Sequence, residues 1–238
     1  MISFIIPTFN EERAIERTLK SISQYRGEHE IIVSDDNSMD DTVVIAKRHT
    51  EKIVLNRGER RCAAATRNRG VDIASGKFLV FIDCDVYIKD IDIFFYKASA
   101  VFEKNERVMA MTVFNRVEDS LVTWADKIIL GFFNYLFLLL NNVLHFGASS
   151  GKFQMVRTDA FRTIKGFNEN LVTGEDHDLF RRLAAKGRIY SEKILSIYYS
   201  GRRAHTIGWP KLLWLWGRDT ISVIFLRRSL SSIWKDIR

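Results

Sequence analysis

Asp83 and Asp85 stand one residue apart, directly after the apolar run that ends in Phe81-Ile82. If that run is a strand, side chains at i and i+2 point the same way. Two hard oxygen donors at one edge then suit Mg²⁺ or Mn²⁺, which binds through one or two carboxylates plus substrate phosphates. Read alone, the pair fits solvated turn carboxylates as well. Asp35 and Asp36 open a second acidic stretch, Asp35-Asp36-Asn37-Ser38, after the apolar run Ile31-Ile32-Val33. A carboxylate there can accept from a nucleobase imide or a ribose hydroxyl, or it can simply organise a turn and cap the next helix.

Between these acids lie Arg57, Arg60, Arg61, Arg67 and Arg69. Guanidinium forks match phosphate geometry, so some of the five are candidates for a diphosphate and the others for a solvated face. Glu175 and Asp176 open a helical pattern. Carboxylates at a helix N-terminus are held ionised by the dipole and the free N–H groups. An ionised carboxylate can act as a general base toward a hydroxyl, although acids also favour helix starts for no catalytic reason. His205 is a lone histidine with no local metal-ligand spacing.

These residues need a scaffold. Strands are expected at 2–6, 30–34, 52–55 and 77–82, with helices at 13–23, 43–49 and 67–74 between them. That alternation predicts an α/β fold, a mostly parallel sheet with helices on both faces. Ligands of such sheets sit beyond the carboxyl ends of the strands. Three of the four ends carry Asn10-Glu11, Asp35-Asp36 and Asp83-Asp85, which places the site by topology. Further along, a strand is expected at 109–117, a long helical region at 119–146 and a helix at 174–185.

Composition narrows the class. The 238 residues suit one large domain, with 47% hydrophobic and 27% charged residues and only two prolines. Cys62 and Cys84 make neither a disulfide framework nor a zinc site, and a cytosol-facing location is expected. Neither a P-loop nor a G-x-G-x-x-G fingerprint is present. The net charge is +7, and the stretch from Arg202 to Arg238 holds eight Lys/Arg against two Asp together with Trp209, Trp214, Trp216 and Trp234. Tryptophan and long aliphatics interleaved with basic residues suit an anionic membrane surface better than nucleic acid. The expected organisation is a catalytic domain at 1–205 and amphipathic interface helices at 206–238, divided or bent at Gly217. The apolar segment Ile128 to Leu140 is too short to span a bilayer and is either core or a second lipid contact.

Taken in order, the motifs resemble the family 2 glycosyltransferases of GT-A fold. They are Phe4 to Glu11 (FIIPTFNE), Val33 to Ser38 (VSDDNS), Thr66 to Gly70 (TRNRG), Phe81 to Asp85 (FIDCD), Gly166 to Glu169 (GFNE) and Gly174 to Leu179 (GEDHDL). The resemblance implies inverting transfer from a nucleotide-diphosphate sugar. It implies that Pro7, Phe9, Glu11 and Asp36 line the nucleoside pocket, with Asp35 beside it, and that Arg67 supports the nucleotide or its phosphates. It further implies that Asp83 and Asp85 hold the Mn²⁺- or Mg²⁺-bound diphosphate, with His205 completing the metal shell. Asp176 would be the catalytic base, with Glu175 in support. No Gln/Arg-x-x-Arg-Trp signature of processive synthases is found, so a single transfer is expected.

The expected donor is GDP-mannose or a UDP-hexose. The expected acceptor is membrane-borne: a lipid-linked saccharide or glycolipid hydroxyl, or else a polyprenyl phosphate, reached from the cytoplasmic face of the membrane by a peripheral or monotopic enzyme. Two other classes compete. A nucleotidyltransferase of related fold would carry a Gly-rich basic loop after the first strand, which the segment from Pro7 to Glu11 is not. A non-catalytic nucleotide-sugar or membrane-binding protein would not need Asp83, Asp85 and Asp176.

Overall fold

The computed structural model describes residues 1–57 and 62–226. In chain order the elements are β1 (Ile2–Thr8), α1 (Ile15–Ser23), β2 (His29–Asp35), α2 (Thr42–Ala46), β3 (Ile53–Leu55), α3 (Ala63–Asp72), β4 (Phe78–Ile82), β5 (Val86–Tyr87) and α4 (Ile91–Lys104). Then come β6 (Val108–Val117), α5 (Trp124–Leu138) with a π-helical turn at Leu139–Val143, β7 (Phe153–Arg157), α6 (Thr158–Thr163), α7 (Glu175–Ala184), β8 (Arg188–Tyr199), α8 (Arg202–Ile207) and α9 (Trp209–Leu226).

Eight strands form one sheet in the order β3-β2-β1-β4-β7-β6-β8-β5. The first four are parallel, as the strand–helix alternation predicts. Beyond β4 the sheet turns mixed, because β7 runs antiparallel to both β4 and β6. The parallel half reads as continuous apolar runs because both its faces are covered. Phe4 and Ile6 pack toward α1 and α4, while Ile5 and Ile32 pack toward α3, α6 and α7. The helix α3 lies so close to the sheet that a Cβ on Gly70 would come within 2.7 Å of Ile5 Cγ2. Only glycine allows that approach.

The second half departs from the expected outline. The long helical region is shorter, starting at a capping box in which Thr123 Oγ1 accepts from Asp126 N–H and the Asp126 carboxylate accepts from Thr123 N–H. The helix α9 runs through Gly217 without dividing. It buries Trp209 and Leu212 against Val117, Leu130 and Ala204. The Trp216 ring meets Phe133 at 5.8 Å between centroids. The expected domain boundary at 205/206 falls inside α8. Among the described residues no helix is long and apolar enough to cross a membrane. Arg60, Arg61 and the tail from Arg227 to Arg238 lie outside the described residues.

Candidate functional site

Strand direction assembles the site. β1, β2 and β4 are parallel, so Thr8, Asp35 and Ile82 end at one edge. β7 starts at that same edge because Phe153 pairs with Ile82. β8 ends there too, and the pairing of Val86 with Tyr199 brings Ser200 and Arg202 beside Asp85. Four chain segments far apart in sequence thus meet around the D-x-D turn. That turn is held from below by Thr18, whose Oγ1 lies 2.7 Å from the carbonyl oxygens of Cys84 and Val86. Cys84 is buried, and burial pushes its thiol well up, so it is no nucleophile.

At the D-x-D turn, Asp83 takes Arg67 Nη2 at 3.1 Å and Lys152 Nζ at 3.3 Å. Asp85 takes Lys152 Nζ at 2.7 Å and the Ser200 hydroxyl at 2.9 Å, with Arg202 Nε at 3.9 Å. Burial favours the neutral carboxyl of Asp85, but Lys152, Arg202 and the Ser200 hydrogen bond together hold it below the usual range. Two hard-oxygen donors with a cation already seated across them suit a divalent ion by charge and by donor chemistry.

Arg67 is almost fully buried and joins the two acidic motifs. Its Nη1 donates to Glu175 at 2.7 Å while its Nη2 reaches Asp83. Burial opposes its charge, but Glu175 and Asp83 more than offset this and raise its pKa. Burial and the neighbouring Asp176 charge push Glu175 up to about 7, against the pull of Arg67. Asp176 is less buried, and its Oδ1 accepts from His177 N–H at 2.8 Å. A Cβ on Gly151 would lie 3.2 Å from Arg67 Nη2 and 3.6 Å from Asp176 Oδ2. The D-x-D pair, Arg67, Gly151 and the start of α7 are therefore one neighbourhood. The helix α9 backs it, since Thr173 donates to Asp219 at 3.0 Å and Val223 packs on Gly174.

The residues expected at a nucleoside pocket lie along the same edge. Pro7 and Phe9 are half-buried at the end of β1. Asp35 turns inward: it accepts from Thr8 Oγ1 at 2.9 Å, Ser38 N–H at 2.8 Å and Ser38 Oγ at 2.5 Å. Of the two duties open to this acidic pair, Asp35 carries the turn. Asp36 accepts from Arg69 at 2.8 Å and Asn56 at 2.7 Å. Glu11 is gripped by both ends of the Arg202 guanidinium. Arg57 is exposed.

His205 does not join Asp83 and Asp85. Its Nε2 lies 2.8 Å from Asp126 Oδ2, and Trp209 Nε1 donates to the other oxygen of the same carboxylate at 2.8 Å. Burial raises the Asp126 carboxyl, but His205, Thr123 and Trp209 outweigh it and bring it down. Asp126 thereby pins α8 and α9 to α5, and the histidine is used in that joint. Among the described residues no three His, Cys, Asp or Glu side chains gather as a metal site. Lys152, Ser200 and Arg202 were not expected from sequence. Their partners are 67, 115 and 191 residues away, and no local signal reaches that far.

The model of the glycosyl transferase family 2 matches residues 3–165. A GalNAc(5)-diNAcBac-PP-undecaprenol beta-1,3-glucosyltransferase of Campylobacter jejuni is 40% identical over 90 residues, which is 35% of this chain and 29% of that protein. A mannosyltransferase from Pyrobaculum calidifontis in complex with GDP-Man and Mn²⁺ superposes with a TM-score of 0.69 at 19% identity, covering 84% of this chain and 56% of that one. Residues 1–349 of TarS from Staphylococcus aureus in complex with UDP give 0.66 at 21% identity, covering 83% and 59%. The chain thus spans less than two thirds of each of these proteins. The likeness shows that the fold is GT-A, with the parallel half and the mixed extension described above.

Proposed function

Because the chain belongs to glycosyl transferase family 2, we propose that it moves one sugar, with inversion, from a nucleoside diphosphate sugar to a hydroxyl of a membrane-borne acceptor. The observation that carries this reading is the link through Arg67 between the D-x-D turn and the Glu175-Asp176 helix start. A donor anchor and a carboxylate base must face one reacting carbon, and here a single buried guanidinium sets their spacing.

In this reading Pro7, Phe9, Glu11 and Asp36 line the nucleoside pocket, and Asp35 shapes its floor. Asp83 and Asp85 would hold Mn²⁺ or Mg²⁺, which would neutralise charge on the departing diphosphate. Lys152, Arg202 and Arg69 add positive charge around it. Asp176 takes the proton of the acceptor hydroxyl as its oxygen bonds to the anomeric carbon and the carbon–diphosphate bond breaks. Arg67 keeps Glu175 and Asp83 in place. No carboxylic acid is needed to protonate a diphosphate leaving group. GDP- and UDP-linked sugars both remain donors for this site, as the titles of the similar structures name both classes.

The acceptor is read from two features. The Campylobacter relative is named for a polyprenyl diphosphate-linked saccharide. In this chain α5 and its π-turn carry Trp124, Ile128, Phe132, Tyr135, Leu139 and Val143 on one face, each between 45% and 80% exposed. The spacing of three or four residues makes a continuous apolar stripe. Trp214 is exposed on α9, with Lys211 and Arg218 on the same helix. Such a surface suits the interface of a cytoplasm-facing membrane, where the protein would sit peripherally.

The test is Asp176→Asn assayed with an acceptor hydroxyl. Loss of the base is expected to lower kcat by about 10²–10⁴-fold, with nucleotide affinity within about threefold of the unaltered protein. Turnover unchanged in Asp176→Asn would remove Asp176 as the base.

A further inference from the structure

Among the described residues, Lys152 is the one whose amine contacts both D-x-D carboxylates, and its position is built in. It precedes β7 by one residue, and Asp83 N–H donates to its carbonyl at 3.3 Å, continuing the β4–β7 pairing. The backbone is thus held beside the turn, and the four-carbon stem carries the ammonium to the carboxylates. Nζ sits 2.7 Å from Asp85 Oδ1 and 3.3 Å from Asp83 Oδ2, and 4.9 Å over the Tyr199 ring. A divalent ion held by Asp83 and Asp85 would draw on these same oxygens. It cannot share them with an ammonium at these distances, on grounds of space and of like charge.

We propose that Lys152 is a resident cation of the Asp83–Asp85 pair, which a divalent ion must displace and which then transfers to the donor diphosphate. This rests on the donor-site reading above and deepens it. Metal arriving alone forfeits two close ion pairs and leaves the ammonium without an anion. Metal arriving with a nucleoside diphosphate supplies a new anion within the reach of the same stem. Binding of the two ligands is therefore coupled, and each tightens the other by the same factor. Gly151 keeps the chain before Lys152 close to the rest of the site: a Cβ there would stand 3.2 Å from Arg67 Nη2 and 3.6 Å from Asp176 Oδ2.

The experiment is a Mn²⁺ titration, read by the electron paramagnetic resonance of free Mn²⁺, with no nucleotide, with UDP and with GDP. In the unaltered protein, one of the two nucleotides is expected to tighten Mn²⁺ binding by about 10-fold or more, within the usual span of coupling factors. Lys152→Gln is expected to bind Mn²⁺ without nucleotide about 5-fold or more tightly than the unaltered protein, and to show a smaller nucleotide effect. Lys152→Met keeps the apolar stem against Tyr199 and is expected to behave the same way, which guards against a folding defect in one variant. Lys152→Arg keeps a cation in place and should retain weak nucleotide-free binding. Equal nucleotide-free Mn²⁺ affinity in Lys152→Gln, Lys152→Met and the unaltered protein would overturn the proposal, while a nucleotide effect in the unaltered protein would leave the donor site standing. Absence of Mn²⁺ binding by any of them, with or without nucleotide, would overturn both.

Discussion

The two halves of the sheet solve different problems. The half built from β3, β2, β1 and β4 is parallel, closed on both faces and filled with apolar side chains: Phe4, Ile5, Ile6, Ile32, Phe81 and Phe95 are each fully buried. The half built from β7, β6, β8 and β5 is mixed in direction and relies on buried polar joints. Asn134 donates to the Asn115 carbonyl and accepts from its N–H, and Asp126 ties three helices together. In the proposed reading, one half would give the floor for a donor. The other leaves an apolar helix face exposed and, in that reading, would carry the base side of the site. The closed, apolar half lies where a nucleotide would be gripped, and the exposed apolar face where a membrane-borne acceptor would arrive.

Breaking the polar joint should cost most. Asp126→Ala strands Trp209 Nε1 and the Thr123 donors, and is expected to lower stability by about 3 kcal/mol. Hydrogen exchange should show the loss concentrated in α8 and α9, with nucleotide binding kept. Uniform loosening of the parallel half would contradict the division drawn here.

In the parallel half a polar contact contributes less, and its effect follows pH. Glu30 is desolvated, which raises its carboxyl, yet Lys52, Ser3 and Ser75 bring it down to about 2 from an ordinary value of 4.5. A depressed folded-state pKa stabilises above the unfolded value and loses that contribution as pH falls through the folded one. Glu30→Gln is therefore expected to cost about 2 kcal/mol at pH 7. The gap from the unaltered protein should close in urea titrations as pH falls from 4.5 toward 2.

The smallest effect on stability is expected on the stripe. Ile128→Ser with Phe132→Ser should change stability by about 0.5 kcal/mol or less, since both side chains are exposed. Sedimentation with anionic phospholipid vesicles should fall about 10-fold or more. Unchanged vesicle binding would separate this face from any membrane role.

The same contrast decides what could be read from sequence. Asp83 and Asp85 were legible because an apolar strand runs straight into them, and Glu175-Asp176 because a helical pattern starts there. The parallel strands were legible for the same local reason. The antiparallel insertion of β7 was not, since five residues from Phe153 to Arg157 give no cue to direction. Lys152 and Arg202 became visible only through strand register. His205 shows the opposite case: the family resemblance alone pointed it to a metal, whereas its partner, Asp126, lies 79 residues earlier. The helix α9 reads as an amphipathic appendage, yet Trp209 and Leu212 are taken up in packing. A helix face chosen by tertiary contact cannot be told from one chosen by lipid on periodicity alone.

The central claim is that the D-x-D edge is a metal-dependent nucleotide site, and calorimetric titration tests it directly. UDP and GDP, each with and without Mn²⁺, are titrated into the unaltered protein and into Asp85→Asn. The account predicts Mn²⁺-dependent binding of one nucleotide class to the unaltered protein, with affinity at least about 10-fold lower in Asp85→Asn. Binding of neither nucleotide, or equal binding by both proteins, would contradict it.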